Sequence, residues 1–245
     1  MQSLRSLAFG NHVAELFPCR VAVKRCRSSG TGLLGPEMRV LKQIALHEGN
    51  PLLPSLVFHN ANLSEFGLLP VGKPCDPVVI LYRAYQARGA LGDILRAITW
   101  LYGRNIIHCN VRWGNVVQSE HRFVFVGLGS STVISTPESK VGYCGGFICW
   151  PPRLLGDLKQ LYEPEKMCRL YAYVMLTNSL FFPASVKGFQ SQCIEEPGRG
   201  ENARHLRKKL EVSRFWGRFV SAAETKDVEV LSDFVMLDLE PRPGM

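Results

Sequence analysis

Ile106-Ile107-His108-Cys109-Asn110-Val111-Arg112-Trp113-Gly114-Asn115-Val116-Val117 is the stretch on which the reading of this chain turns. Two apolar, β-prone pairs bracket a short polar turn that carries His108, Asn110, Arg112 and Asn115, and a second apolar run, Phe123 to Val126, follows after a few charged residues. Upstream, Leu91, Ile94, Leu95, Ile98 and Leu101 recur at the spacing of one helix face, so a long buried helix is expected over Val78 to Tyr102, leading into the turn. Downstream, Phe125-Val126-Gly127-Leu128-Gly129 reads as a strand end followed by a glycine turn.

Further towards the amino terminus the pattern changes from helical to extended. Cys19 to Lys24 alternates apolar with polar residues and predicts a strand, and Ser28 to Gly32 supplies a flexible link. Gly35-Pro36-Glu37 then opens a helix in which Met38, Leu41, Ile44 and Ala45 share the buried face, with Arg39, Lys42 and Gln43 turned to solvent. Between Pro51 and Pro77 the chain is rich in loops, with Leu56 to Phe58 and Phe66 to Leu69 as short strand candidates. Pro70-Val71-Gly72-Lys73-Pro74 suits a crossing between two units, which divides the chain into a β-rich part over 1–72 and a helical part over 73–245.

A chain of 245 residues with an apolar fraction of 46% has ample material for a buried core. The net charge of +8, with a pI of about 9.2, points to an acidic partner: a nucleotide, a nucleic acid or an acidic protein face. Six basic residues crowd into the stretch from Arg204 to Arg218, namely Arg204, Arg207, Lys208, Lys209, Arg214 and Arg218, interleaved with single apolar residues. That pattern fits the solvated side of an amphipathic helix, or a nucleic-acid contact in which Phe215 and Trp216 stack on bases; as core anchors of a terminal helix the two aromatics would have no such role. Eight scattered cysteines form no Cys-x-x-Cys pair and have no histidine at zinc-finger spacing, so they read as reduced, mostly buried thiols and no metal site is expected from them. Met1 to Val13 lacks the apolar stretch of a secretion signal, and no run of roughly eighteen apolar residues occurs, so an intracellular protein without a membrane span is expected.

The stretch from Ile106 to Val117 resembles the catalytic loop of protein kinases, written His-Arg-Asp, then four residues, then Asn. His108 and Asn115 match it, while Asn110 stands where the family has the aspartate that accepts the substrate hydroxyl proton. An amide takes up no proton at neutral pH. Val21-Ala22-Val23-Lys24 is similar to the Val-Ala-Ile-Lys strand of the same family, whose lysine contacts nucleotide phosphates, and the resemblance makes Glu37 the helix carboxylate that pairs with Lys24. Gly127 lies where the Asp-Phe-Gly aspartate would hold magnesium, and only Gly10 is available for the glycine-rich hairpin that covers the phosphates. Ser130 to Lys140 resembles an activation segment; Pro152 matches its Ala-Pro-Glu ending, but Arg153 replaces the glutamate, and Lys166 falls near the aspartate expected on the following helix.

Arg112-Trp113-x-Asn115 further resembles the kinase-like domains of crinkler-type proteins of fungi and oomycetes, as do Leu69 to Pro74, the Tyr-Glu-Pro sequence at Tyr162, and the tail with Phe215-Trp216, Ala222-Ala223 and Val230-Leu231. These resemblances imply an α+β, bilobal protein-kinase-like fold with a small β-rich amino-terminal lobe and a helical carboxy-terminal lobe. They imply nucleotide-binding positions at Lys24, Glu37 and Asn115, catalytic-loop positions at Asn110 and Arg112, weak ATP binding without magnesium, and a pseudokinase that acts through a protein partner. Two rivals follow from the same residues: a weak, atypical ATP-dependent serine/threonine kinase in which Glu120 or Glu138 substitutes for a missing acid, and a nucleic-acid-binding module built on the basic stretch.

Overall fold

The computed structural model describes residues 11–16, 19–25, 34–60, 65–81, 83–136, 173–177, 205, 208–209 and 211–237. The alternating sequence around Val21 does form a strand: β1 (Asn11–Leu16) and β2 (Cys19–Arg25) pair as an antiparallel hairpin. With β3 (Ser55–His59) and β4 (Glu65–Leu69) they make one antiparallel sheet in the order β1-β2-β4-β3. Lys24 lies opposite Phe66 and Ala22 opposite Leu68 in the register, and strand alternation therefore puts these four on one face and Val21 and Val23 on the other. Gly67, opposite Val23, must lack a side chain, because a Cβ there would come 2.6 Å from the Phe58 ring carbon Cδ1 and 2.7 Å from Val21 Cγ1.

Helix α1 (Gly35–Ala45) begins as expected, with Pro36 in its first turn where no amide hydrogen is needed. Met38, Val40, Leu41 and Ile44 are buried, and so is the carboxylate of Glu37. Ala45, expected on the buried face, is exposed at the last position of the helix, where helical packing ends. The single helix expected over Val78 to Tyr102 is instead two, α2 (Pro77–Leu81) and α3 (Ala84–Tyr102), with Arg83 outside helical geometry at φ −124° and ψ 83°. The helical periodicity belongs to α3 alone: Leu91, Ile94, Leu95, Ile98 and Leu101 are all buried along it. The unbroken apolar run of α2 carried no period to separate it from α3, and α2 buries Ile80 while leaving Val79 exposed.

Two small sheets frame the polar turn. Strand β5 (Lys73–Pro74) pairs with β7 (Val116–Ser119), which pairs with β8 (Arg122–Phe125), and β6 (Ile106–Ile107) pairs with β9 (Thr132–Val133). Segment 70–75, expected as a crossing, is thus fastened to β7, with Ser119 Oγ also donating to the Val71 carbonyl at 3.1 Å and Cys75 N–H to that of Val116 at 3.1 Å. Gly72 makes this close approach possible, since a Cβ would sit 2.8 Å from the Gln118 carbonyl oxygen. The β7–β8 hairpin is tied to α3 by the buried Asp93, whose carboxylate accepts from the Phe123 amide at 2.8 Å and from the Arg96 guanidinium at 2.5 Å.

Residues 173–177 are helical and buried, and the Tyr173 hydroxyl donates to the Leu91 carbonyl of α3 at 3.1 Å. Helices α4 (Arg214–Glu224) and α5 (Val228–Leu237) pack together and against the same core, with Trp216, Phe219, Val220, Ala223 and Leu231 buried. The chain is therefore α+β, a strand-rich first part followed by a mainly helical one. Among the described residues no helix is long and apolar enough to cross a membrane. Cys75 and Cys109 take part in no disulfide; burial pushes the Cys75 thiol up to about 12.

Candidate functional site

Several groups of the polar turn between β6 and β7 are held by hydrogen bonds and ring stacking. Its first side chain, His108, is buried and stacks on Phe125 of β8, with ring centroids 3.9 Å apart. The Asn110 amide donates to His108 Nδ1 at 3.2 Å, so Nε2 carries the ring proton and donates to the Val126 carbonyl at 3.0 Å. Burial lowers the imidazole from its ordinary 6.5 to about 4, and the nearby Arg112 charge acts in the same direction, which keeps His108 neutral at physiological pH. The histidine joins the turn to the segment that follows β8 and has no free nitrogen for proton transfer.

Trp113 to Asn115 form one 3-10 turn that closes the loop. Trp113 is buried and its indole N–H donates to the Leu176 carbonyl at 3.3 Å, anchoring the loop to the helical residues 173–177. Asn115 is buried too: its side-chain Nδ2 donates to the Asn110 carbonyl at 2.7 Å, and its own carbonyl accepts from the Val126 amide at 2.8 Å. Asn110 is 5% exposed, so the side chain standing in place of a catalytic aspartate lies inside the loop. The Arg112 Nε is buried without a hydrogen-bond partner. No acid on the loop neutralises that guanidinium, because the loop contains none.

Gly127 has φ +80°, the left-handed region that glycine enters without penalty, and it leads into a second 3-10 turn, Leu128–Ser130, with Leu128 fully buried. Lys24 on β2 and Glu37 on α1 form an ion pair, with Glu37 almost wholly buried and Lys24 a quarter exposed. The turn brings this pair alongside the loop: a Cβ on Gly129 would lie 3.4 Å from Glu37 Oε2, and one on Gly127 would lie 2.6 Å from Asn115 Cγ. Glu37 and Asn115 thus flank the segment 127–130, with Lys24 bound to the first and Asn110 to the second, while Arg112 lies beside Gly114 and near His108.

Magnesium, implied by the resemblance, does not fit this arrangement. The ion needs hard oxygen ligands in octahedral array. Here Asn115, with Nδ2 donated to the Asn110 carbonyl, has only its neutral Oδ1 to offer, Gly127 contributes no side chain, and Glu37 is committed to Lys24. Among the described residues no three His, Cys, Asp or Glu side chains gather where they could hold a metal ion. Glu120, a candidate substitute acid, is exposed in the β7–β8 turn. Ser119 pairs with Arg122 across that turn while Val116 pairs with Phe125 at the other end of the hairpin, so Glu120 is held on the order of 13 Å from Asn115 by four residues of extended chain. Glu138, Arg153, Lys166 and Gly10 lie outside the described residues.

The basic stretch separates into two kinds of residue. Lys208, Lys209, Arg214 and Arg218 are exposed, and Arg204 and Arg207 lie outside the described residues. Trp216 is 8% exposed and packs edge-on against Phe219, which removes it as a base-stacking platform; Phe215, 39% exposed, stands edge-on to it. What sequence reasoning missed is the role of Phe125 and Trp113 as anchors of the loop. Both were legible as apolar residues, but nothing in their spacing tells which polar side chain an aromatic ring will support.

The solved structure of the Cydia pomonella granulovirus kinase, PK-1, is similar to this chain with a TM-score of 0.63 and 16% sequence identity, over 94% of this chain and 89% of that one. No family model matches the sequence, and no curated protein matches it either. Element order, the Lys24–Glu37 pair and the loop geometry agree with that likeness: the chain has a protein-kinase-like fold.

Proposed function

We propose that this chain is a pseudokinase that binds nucleotide weakly and without magnesium, and that it works as a regulatory module through a protein partner rather than by transferring phosphate. One observation carries the reading. The cationic side of the site persists in Lys24, oriented by Glu37, and in Arg112, while the two positions that need carboxylates hold Asn110 and Gly127. Phosphoryl transfer rests on positioning and on neutralising charge around a held metal, with a carboxylate to accept the hydroxyl proton. A site that keeps its cations but has no carboxylate at 110 or 127 favours holding an anion over turning it over.

Lys24 would act on the nucleotide as a point charge towards phosphate, and Glu37 as the residue that fixes its direction. Arg112 supplies a second cation whose guanidinium lacks a loop acid to engage it. ATP would bring the phosphate anion, and the amide at 110 would take up no proton from an attacking hydroxyl. The relationship to crinkler-type kinase-like domains is part of the same proposal, and Trp113 supports it: in the Arg112-Trp113-x-Asn115 sequence the tryptophan is what ties the loop to the helical part of the molecule. The division into a lobe over 1–72 and a lobe over 73–245, and an intracellular location, belong to this reading as well.

The test is the melting temperature of the purified protein with millimolar ATP, measured with magnesium and with EDTA, for wild type and Lys24→Ala. The expected outcome is an upward shift of a few degrees in wild type that is the same in both media and is lost in Lys24→Ala. No shift at millimolar ATP would remove the nucleotide from the proposal, and a shift only with magnesium would restore the atypical-kinase alternative.

A further inference from the structure

We infer that the corner at Ser213, between the helical residues 211–212 and α4, is a docking surface for an acidic protein segment that carries an aliphatic side chain among its carboxylates. This rests on the reading that the chain works through a protein partner, and gives that partner its chemistry. Ser213 ends one helical turn and caps the next: its φ of −70° and ψ of 130° are extended, and its Oγ accepts from the Trp216 amide at 3.4 Å. The two arms of the corner are in close contact, because a Cβ on Gly217 would lie 2.6 Å from the Glu211 carbonyl oxygen. On the inner side of α4, Trp216 and Phe219 are buried, and Phe215 stands edge-on to the first and nearly parallel to the second, at 12°. Val212 is thus presented on a packed corner, and it is 78% exposed.

Cations surround that exposed valine. Lys208 and Lys209 precede it by four and three positions, the spacing of one helix face, and Arg214 follows two positions on. All three are exposed and form no ion pair with any described residue. No acid stands in the first turn of α4, where the helix dipole favours one, so the positive end of the dipole adds to the field of the side chains. Glu211 is the single acid between 205 and 218. A positive field draws nucleic acid and acidic protein alike, and the apolar centre separates them. A base gains by stacking on an aromatic ring, but Trp216 is buried and Phe215 lies along Phe219. An aliphatic side chain needs only apolar surface, which Val212 supplies, with Phe215, 39% exposed, three positions on. An apolar centre with a charged rim is the anatomy of a protein interface.

Labelled probes of equal charge, followed by fluorescence anisotropy with the full chain at physiological salt, test this: a short peptide of glutamates with leucines set among them, the same peptide with serines for the leucines, and an oligothymidylate. The leucine peptide should bind about tenfold more tightly than the other two, the gain from burying one valine against an apolar group. Val212→Ser should erase that preference, and Lys208→Glu combined with Lys209→Glu should abolish binding; these side chains are exposed, so the variants should melt with wild type. Equal binding of the leucine and serine peptides would reduce the surface to charge alone and overturn the inference. Tighter binding of the oligothymidylate, no binding of the leucine peptide, or a preference that survives Val212→Ser would overturn it too. The comparison among probes needs only wild type, so it stands even where a variant fails to fold. ATP is absent throughout: a failed peptide result leaves the nucleotide reading standing, and an absent ATP shift leaves the docking surface standing.

Discussion

Lys24 and Glu37 meet across β2 and α1 as a charged pair that a kinase-like site requires, whereas the loop from His108 to Asn115, on the other side of the same turn, is held by neutral groups alone: an imidazole, two amides and an indole. The first region sets one ion pair between a sheet face and a helix, with the Glu37 carboxylate almost wholly buried. The second depends on stacking and on hydrogen bonds between buried groups, each of which leaves an unsatisfied partner when removed.

If that contrast is right, the largest loss comes from the loop's aromatic support. Phe125→Ala, which deletes a ring with no exposed surface and leaves His108 without its stacking partner, is expected to cost about 3–5 kcal/mol in urea denaturation. A cost near that of an exposed substitution would mean that the loop is shaped by something other than this packing.

A smaller effect follows from pH. The folded His108 titrates near 4 and an unfolded histidine near 6.5, so between those values the unfolded chain binds more protons and stability falls as pH drops. The contribution is complete above about 6.5 and is lost progressively down to about 4, roughly 3 kcal/mol in all. His108→Gln should flatten that slope in the difference between wild type and variant, whatever the variant's absolute stability. An unchanged slope would place the imidazole in solvent.

The smallest effect sharpens the comparison from the side of function. Asn110→Asp returns one acid to the loop but leaves Gly127 as it is, and radiolabelled phosphate incorporation is expected to stay at the background of wild type. Incorporation that appears in Asn110→Asp and vanishes on adding Lys24→Ala would show that the carboxylate at 110 was the only missing part.

Much of this arrangement is legible in the sequence. The strand at Val21 to Lys24, the helix opening at Gly35-Pro36-Glu37, the short strands at Leu56 and Phe66, and the helix face from Leu91 to Leu101 all follow from period and punctuation, and each formed. The break between α2 and α3 was not readable, because an apolar run such as Val78 to Leu81 fits a helix of either length. Nor was the displacement of Glu120, an acid five positions from Asn115 in sequence (115 to 120) but at the far end of a hairpin in space.

By itself the sequence determined which chemical groups exist: an amide at 110, no side chain at 127, a lysine on β2 and a glutamate on α1. These identities limit what acid, base or metal chemistry can occur, and no fold alters them. The tertiary structure alone decided which of those groups meet. Asn115 is one polar residue among several in the sequence; only the fold shows that it is buried, that its Nδ2 donates to the Asn110 carbonyl and that it lies beside Gly127. The reason is that a side chain's type fixes its bonding capacity, while distance and direction, which folding sets, fix where that capacity goes.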